Sequence, residues 1–158
     1  MKRRMTGIVA MFAMLAAAVR SPAAGFKMPP KSFTAEQATQ AIEAAQAEGK
    51  PLAFLISDIE TTCPLCADAS KEIIKRLRSD AVMVYSRGLS NLPERAQKLA
   101  RGQDTGRFIP YVIVTDAALT TLMGLVRYEE VQENATRAFR DVDKAIKEYR
   151  KAQTSARR

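Results

Sequence analysis

Cys63 and Cys66 are the only cysteines in the 158-residue chain, three apart in the run Cys63-Pro64-Leu65-Cys66. Side chains three apart on a helix are neighbours, so a helix starting here brings the two sulfurs within bonding reach. Such a pair has three chemistries open to it. It can exchange disulfides with another thiol, close as a structural bridge, or hold a soft ion such as copper(I). The chain has no histidine. Ser–His and Cys–His nucleophile pairs are therefore excluded, and a tetrahedral zinc site would have only two thiolates and carboxylates to draw on.

The two thiols are not equivalent. Cys63 is expected in the first helical turn, where unpaired N–H groups and the helix dipole favour a thiolate and can bring a thiol pKa to between ~3.5 and ~7.5. It is the expected nucleophile. Cys66, one turn on and facing the core, suits the resolution of a mixed disulfide, and Pro64 is tolerated because first-turn N–H groups lack helical partners anyway. A bridge between residues three apart closes a very small loop, and disulfide stabilisation grows with loop length, so a purely structural staple is the weaker reading. For copper(I), Met28, Met83 and Met123 are the candidate extra ligands. They lie in or beside apolar runs, where methionine ordinarily fills core space.

The elements that must position this pair are legible in the hydrophobic pattern. Thr34 with Gln37 resembles a capping box for a helix over 35–48, ended by Gly49. Pro51 opens Leu52-Ala53-Phe54-Leu55-Ile56, a continuous apolar run expected as a central strand buried on both faces. Asp58–Thr62 reads as a polar turn, with Thr61 or Thr62 capping a helix to about Arg78 whose inner face carries Cys66, Ser70, Ile73, Ile74 and Leu77. Val82–Tyr85 predicts a second strand, 87–91 a loop, and Leu92–Ala100 a helix. Phe108–Thr115 is a strong strand signal interrupted by Pro110, which cannot donate to a ladder and so marks an edge, a strand start or a cis bond. Asp116-Ala117-Ala118 predicts a hairpin turn into a strand over 119–126. The spacing of Val131, Ala135, Ala138, Phe139, Val142, Ala145, Ile146 and Tyr149 predicts one final helix, with a frayed tail from Ala152.

With 47% apolar residues the chain can bury one core of ordinary size. Met1-Lys2-Arg3-Arg4, the apolar run Met5–Val19 and the small residues Ser21 to Ala24 read as a secretory signal peptide over 1–23. The run falls short of the roughly 20 residues of a membrane span, although an uncleaved anchor is a minority alternative. Residues 24–33, with Pro29-Pro30, read as an extended lead-in, and 153–158 as a flexible basic tail. Lys2, Arg3, Arg4 and Arg20 supply half of the formal net charge of +8. The remaining cations alternate with acids, as in Lys71-Glu72 and Lys147-Glu148-Tyr149-Arg150. That is a solvated surface and not a nucleic-acid face.

Gly49-Lys50-Pro51 before the central strand, the dithiol Cys63/Cys66, and Ile109-Pro110 leading a hairpin together resemble the thioredoxin superfamily. The resemblance implies an α/β thioredoxin-like fold with a central mixed β-sheet flanked by helices. The match itself covers about residues 34–150 of a domain expected over 34–152, and it implies that Pro110 is cis and lies against the dithiol, and that the backbone of Ile109 pairs with substrate. The activity implied is thiol–disulfide oxidoreduction on protein thiols and disulfides in the periplasm or outside the cell, with a membrane-bound redox partner resetting the dithiol. No cofactor is expected, and a monomer is. The chain departs from the family pattern in having Thr62 where thioredoxin has Trp, and Pro-Leu between the cysteines. Leu65 cannot stabilise a thiolate as the histidine of strong oxidants does, so the expected potential lies nearer the reducing or isomerase range than ~−120 mV. The family's buried acid falls on Ser57, with Asp58 one place off and expected to be an ordinary turn residue. The alternatives are a binding module with a structural or vestigial disulfide that docks peptides beside Ile109, and a copper(I) carrier.

Overall fold

The structure is a computed structural model that describes residues 25–156, so the signal-peptide reading of 1–23 and the last two residues of the basic tail lie outside the described residues. In chain order the elements are β1 (Phe33–Thr34), α1 (Ala38–Glu48), β2 (Leu52–Ile56), α2 (Pro64–Leu77), β3 (Val82–Ser86), α3 (Glu94–Ala100), β4 (Tyr111–Thr115), β5 (Leu122–Val126), α4 (Tyr128–Ala138) and α5 (Arg140–Ala156).

Five strands form one mixed sheet in the order β1-β3-β2-β4-β5. β3 runs parallel to both β1 and β2, while β4 is antiparallel to β2 and to β5. All five residues of β2 are buried, as the unbroken apolar run requires of a strand covered on both faces. Its alternation divides the core. Ala53 and Leu55 face a layer with Ile73, Leu77, Phe139, Val142 and Ile146 from α2 and the C-terminal helices. Leu52, Phe54 and Ile56 face the opposite layer with Ala41, Ala45, Leu92 and Ala96, from α1 and α3 with its lead-in. The small alanines of α1 let its backbone lie close on the sheet, and Gly49 closes that helix in the left-handed conformation (φ 64°).

Four local departures from the sequence reading have physical causes. Phe26, in the lead-in, is only 5% exposed and belongs to the α2-side core. Its N–H donates to the Ile59 carbonyl at 3.3 Å, tying the lead-in to the turn before the dithiol. The hairpin turn is longer than Asp116–Ala118, and β5 begins only at Leu122. One carboxylate oxygen of Asp116 accepts the Thr120 and Thr121 N–H groups, each at 2.7 Å, and the other accepts the Thr120 hydroxyl, satisfying donors a tighter turn would leave to the ladder.

The single C-terminal helix is divided. Asn134 leaves helical geometry (φ −163°, ψ 97°), and its side chain accepts the Arg137 N–H at 3.0 Å, a local bond that competes with the helical ladder. α4 then gives way to α5 at Phe139, which is fully buried and keeps a right-handed helical backbone (φ −90°, ψ −4°). The apolar spacing runs through both places because Val131, Phe139, Val142 and Ile146 still face the sheet. Last, α5 continues to Ala156, through residues that the sequence reading assigns to the tail. Arg150 pairs with Asp80, and the Tyr149 hydroxyl accepts the Ala117 N–H at 3.3 Å, so the helix is held at both flanks. No helix among the described residues is long and apolar enough to cross a membrane.

Because Phe26 fills core space, Phe26→Ala is expected to destabilise the protein by about 3–5 kcal/mol, the usual loss for a buried phenylalanine. Chemical denaturation measures this; an unchanged midpoint would show that residues 25–28 merely lie on the surface.

Candidate active site

The pair is placed by the way β2 hands over to α2. Ser57 ends the buried run, 1% exposed, with its N–H bonded to Ser86. The chain then turns: the Asp58 carbonyl accepts the Thr61 N–H at 3.2 Å, and the Asp58 carboxylate accepts the Glu60 N–H at 3.1 Å. Asp58 is thus a turn residue, as expected. Thr61 accepts the Cys63 N–H on its hydroxyl at 3.2 Å.

The helix cap is neither Thr61 nor Thr62 but Cys63 itself. Its backbone is extended (φ −81°, ψ 111°), and its sulfur accepts the Cys66 N–H at 3.3 Å, while Pro64 occupies the first turn. A thiol here does the work a serine or aspartate does at an N-cap, and a negative sulfur does it better. The Cys66 Sγ, 2.7 Å away, also donates to Cys63 Sγ. These contacts lower the Cys63 pKa from its ordinary value: first the Cys66 thiol, then the Cys66 N–H, with the Leu65 N–H adding to them. Cys66 moves the other way. Burial, and then the hydrogen bond and negative charge at Cys63, push its pKa up to about 11. Cys63 is therefore the acceptor and Cys66 the donor of the sulfur-to-sulfur bond, and Cys63 is the more acidic of the two thiols.

Behind Cys66 lies a buried chain of hydroxyls. Ser70 donates to the Cys66 carbonyl at 2.9 Å, and Ser57 and Ser70 are 2.9 Å apart. Because the single Ser70 proton goes to Cys66, Ser57 must be the donor to Ser70. Both bonds point toward the carbonyl, so this chain holds the helix start in place and offers the Cys66 thiol no base. Sequence reasoning identified the Ser57 position but not its partner Ser70; the signal was a polar residue on the inner face of α2.

The other half of the site comes from the strand next to β2. Ile56 at the end of β2 pairs with Tyr111 at the start of β4. The residues just before β4, Ile109 and Pro110, therefore lie at the same sheet end as the dithiol. The Ile109–Pro110 bond is cis. Pro110 is buried, whereas Ile109 is 39% exposed. Among the described residues the exposed large apolar side chains are Leu65, Phe108 and Ile109, all at this end. Phe108 meets Tyr128 edge to face with ring centroids 5.9 Å apart, and the charges of Cys66 and Cys63 help to raise the Tyr128 pKa, after burial. Tyr128 thus packs on Phe108 and lies within reach of the dithiol's charge, a placement with no motif to announce it.

The donor set bears on the metal alternative. No group of three or more His, Cys, Asp or Glu side chains among the described residues is placed to hold an ion. Met83 is 2% exposed in the core, and Met28 and Met123 pack against it. Compared with known protein families, with characterised proteins and with solved structures, the chain matches none.

The sulfur-to-sulfur hydrogen bond is the first cause of the Cys63 shift, so Cys66→Ala should raise the Cys63 pKa toward the ordinary ~8.5 of a free thiol. Ultraviolet thiolate absorbance against pH reads it. In the parent protein Cys63 should lose its thiolate as pH falls through a depressed pKa, while Cys66 stays protonated until well above neutrality. Identical Cys63 titrations in parent and variant would assign the shift to the helix terminus alone.

Proposed function

We propose that the chain is an exported thioredoxin-like thiol–disulfide oxidoreductase acting on protein substrates. The observation that carries this reading is the asymmetry of two thiols at one helix start: the half-buried Cys63 sulfur accepts the Cys66 N–H and thiol, which lowers its pKa, while burial and that same contact raise the pKa of Cys66. A structural bridge has no use for this asymmetry, and exchange requires it, because the thiolate is the attacking species. The mixed sheet flanked by helices, the cis Ile109–Pro110 bond and the apolar rim of Leu65, Phe108 and Ile109 support it. Export rests on the composition of residues 1–23.

The steps follow from the geometry. Cys63 Sγ attacks one sulfur of a substrate disulfide, forming a mixed disulfide and expelling the other substrate sulfur as a thiolate. Cys66 then loses its proton to that thiolate or to water, since its hydroxyl neighbours accept nothing from it. It attacks Cys63 Sγ and releases the second substrate sulfur. The substrate gains two electrons and the dithiol becomes a disulfide; run backwards, the same steps oxidise a substrate dithiol. Apolar side chains around Cys63 suit substrates presenting cysteines in apolar, extended segments, and a membrane-bound partner of the same chemistry would reset the pair.

Resolution needs the Cys66 sulfur, so a variant without it should stop at the covalent intermediate. Cys66→Ser incubated with a disulfide-containing protein such as insulin is expected to accumulate a mixed disulfide through Cys63, visible by mass and released by dithiothreitol, whereas Cys63→Ser should form none. Equal trapping by the two variants would remove Cys63 from the nucleophile role, and no trapping by either would favour the binding-module reading.

A further inference from the structure

The segment that carries Phe108 and Ile109, residues 101–110 between α3 and β4, has no regular structure, yet one side of the site depends on where it sits. Its hold comes from three consecutive residues at the start of α4, each gripping a different point. The Arg127 guanidinium donates to the Asp104 carboxylate at 2.7 Å. The Tyr128 ring packs edge to face on Phe108. The Glu129 carboxylate accepts the Arg107 backbone N–H at 3.2 Å. Glu130 braces the first of these, accepting from the Arg127 guanidinium and from the Arg127 N–H, each at 2.9 Å.

The loop is shaped to receive this grip. Gly106 has φ +79°, and a Cβ there would come within 2.6 Å of the Glu129 carboxylate. Its N–H is turned back onto Asp104 at 3.0 Å, fixing the carboxylate that Arg127 holds. The same turn of α4 reaches the other side of the site, where the Gln132 side chain donates to the Leu65 carbonyl at 3.4 Å. One helical turn thus touches both the Phe108 loop and the residue between the two cysteines.

We infer that Arg127 and Glu129 are positioning residues that set the gap between Leu65 and the Phe108–Ile109 segment, and so select which disulfide-bearing chains reach Cys63. This role rests on the exchange reading above. Neither side chain touches the sulfurs through any hydrogen bond in the structure; each acts through the loop. Substrates long enough to touch both walls of the gap feel the bracket, and a small disulfide does not. Asp104 is 78% and Arg127 33% exposed at the side chain, so the ionic part is weak and salt-sensitive.

The test uses the reduced full-length protein and two probes, oxidised glutathione and a disulfide-cyclised peptide with apolar residues on both sides of its bridge. Arg127→Ala and Glu129→Ala should each slow reaction with the peptide by about two- to fivefold, the range expected for losing one exposed polar contact, with the glutathione rate and the Cys63 titration unchanged. Glu129→Gln keeps an oxygen for the Arg107 N–H and should restore the peptide rate, while Gly106→Ala should mimic Glu129→Ala. Added salt should slow the parent toward Arg127→Ala and leave that variant unaffected. Amide exchange at Arg107 should quicken in Glu129→Ala whatever the chemistry. An unchanged peptide rate, or peptide and glutathione rates falling together with a shifted titration, would overturn the bracket. A parent that reacts with neither probe would instead overturn the exchange reading beneath it.

Discussion

A sulfur at the N-cap of a helix is asked to do two things at once in this fold: accept N–H groups that every helix start leaves unpaired, and stay within reach of solvent. Cys63, half-buried, meets both because it caps α2 and the helix begins one residue later, at Pro64. Had Thr62 been the cap, its hydroxyl would have taken those donors and Cys63 would have turned with the first helical residues. With Cys63 as the cap, the Cys66 N–H and thiol both converge on its sulfur. The charge this favours at Cys63 also disfavours a second charge at Cys66, so one local choice shifts the two thiol pKa values in opposite directions.

That choice depends on structure some distance away. Pro64 fixes the first turn, the Asp58–Thr61 turn brings the chain to it, and the Ser57–Ser70 bond pins the inner face of α2 against the end of β2. The opposite wall is delivered by the sheet, since the Ile56–Tyr111 register puts the start of β4 beside the end of β2. A one-residue slip would turn every side chain of β4 to the other face. Buried residues on both faces of β4 prevent it, and the site inherits its alignment from the core.

Much of this was readable from residue order. The apolar run of β2, the capping box at Thr34, the dithiol and the proline before β4 each have a strong local signal, and each lies where the pattern puts it. What escaped reading was whatever depended on tertiary partners. Phe26 looks like one aromatic in a proline-rich lead-in until the core supplies its neighbours. Asn134 breaks a helix whose apolar spacing continues through it, so periodicity alone cannot see the break. Cys63 as its own cap follows from the extended backbone that the Asp58 turn imposes. The grip of Arg127, Tyr128 and Glu129 on the Phe108 loop joins segments with no shared pattern in sequence.

The equilibrium reduction potential of the Cys63/Cys66 pair, measured against defined glutathione or dithiothreitol buffers, tests most directly whether the pair is built for exchange. An activated Cys63 beside a protonated Cys66 predicts a value between roughly −120 and −270 mV, nearer the lower end because Leu65 adds no charge to stabilise the thiolate. A value below about −300 mV would mean a bond too stable to exchange with cellular thiols, and would contradict the catalytic account in favour of a structural bridge.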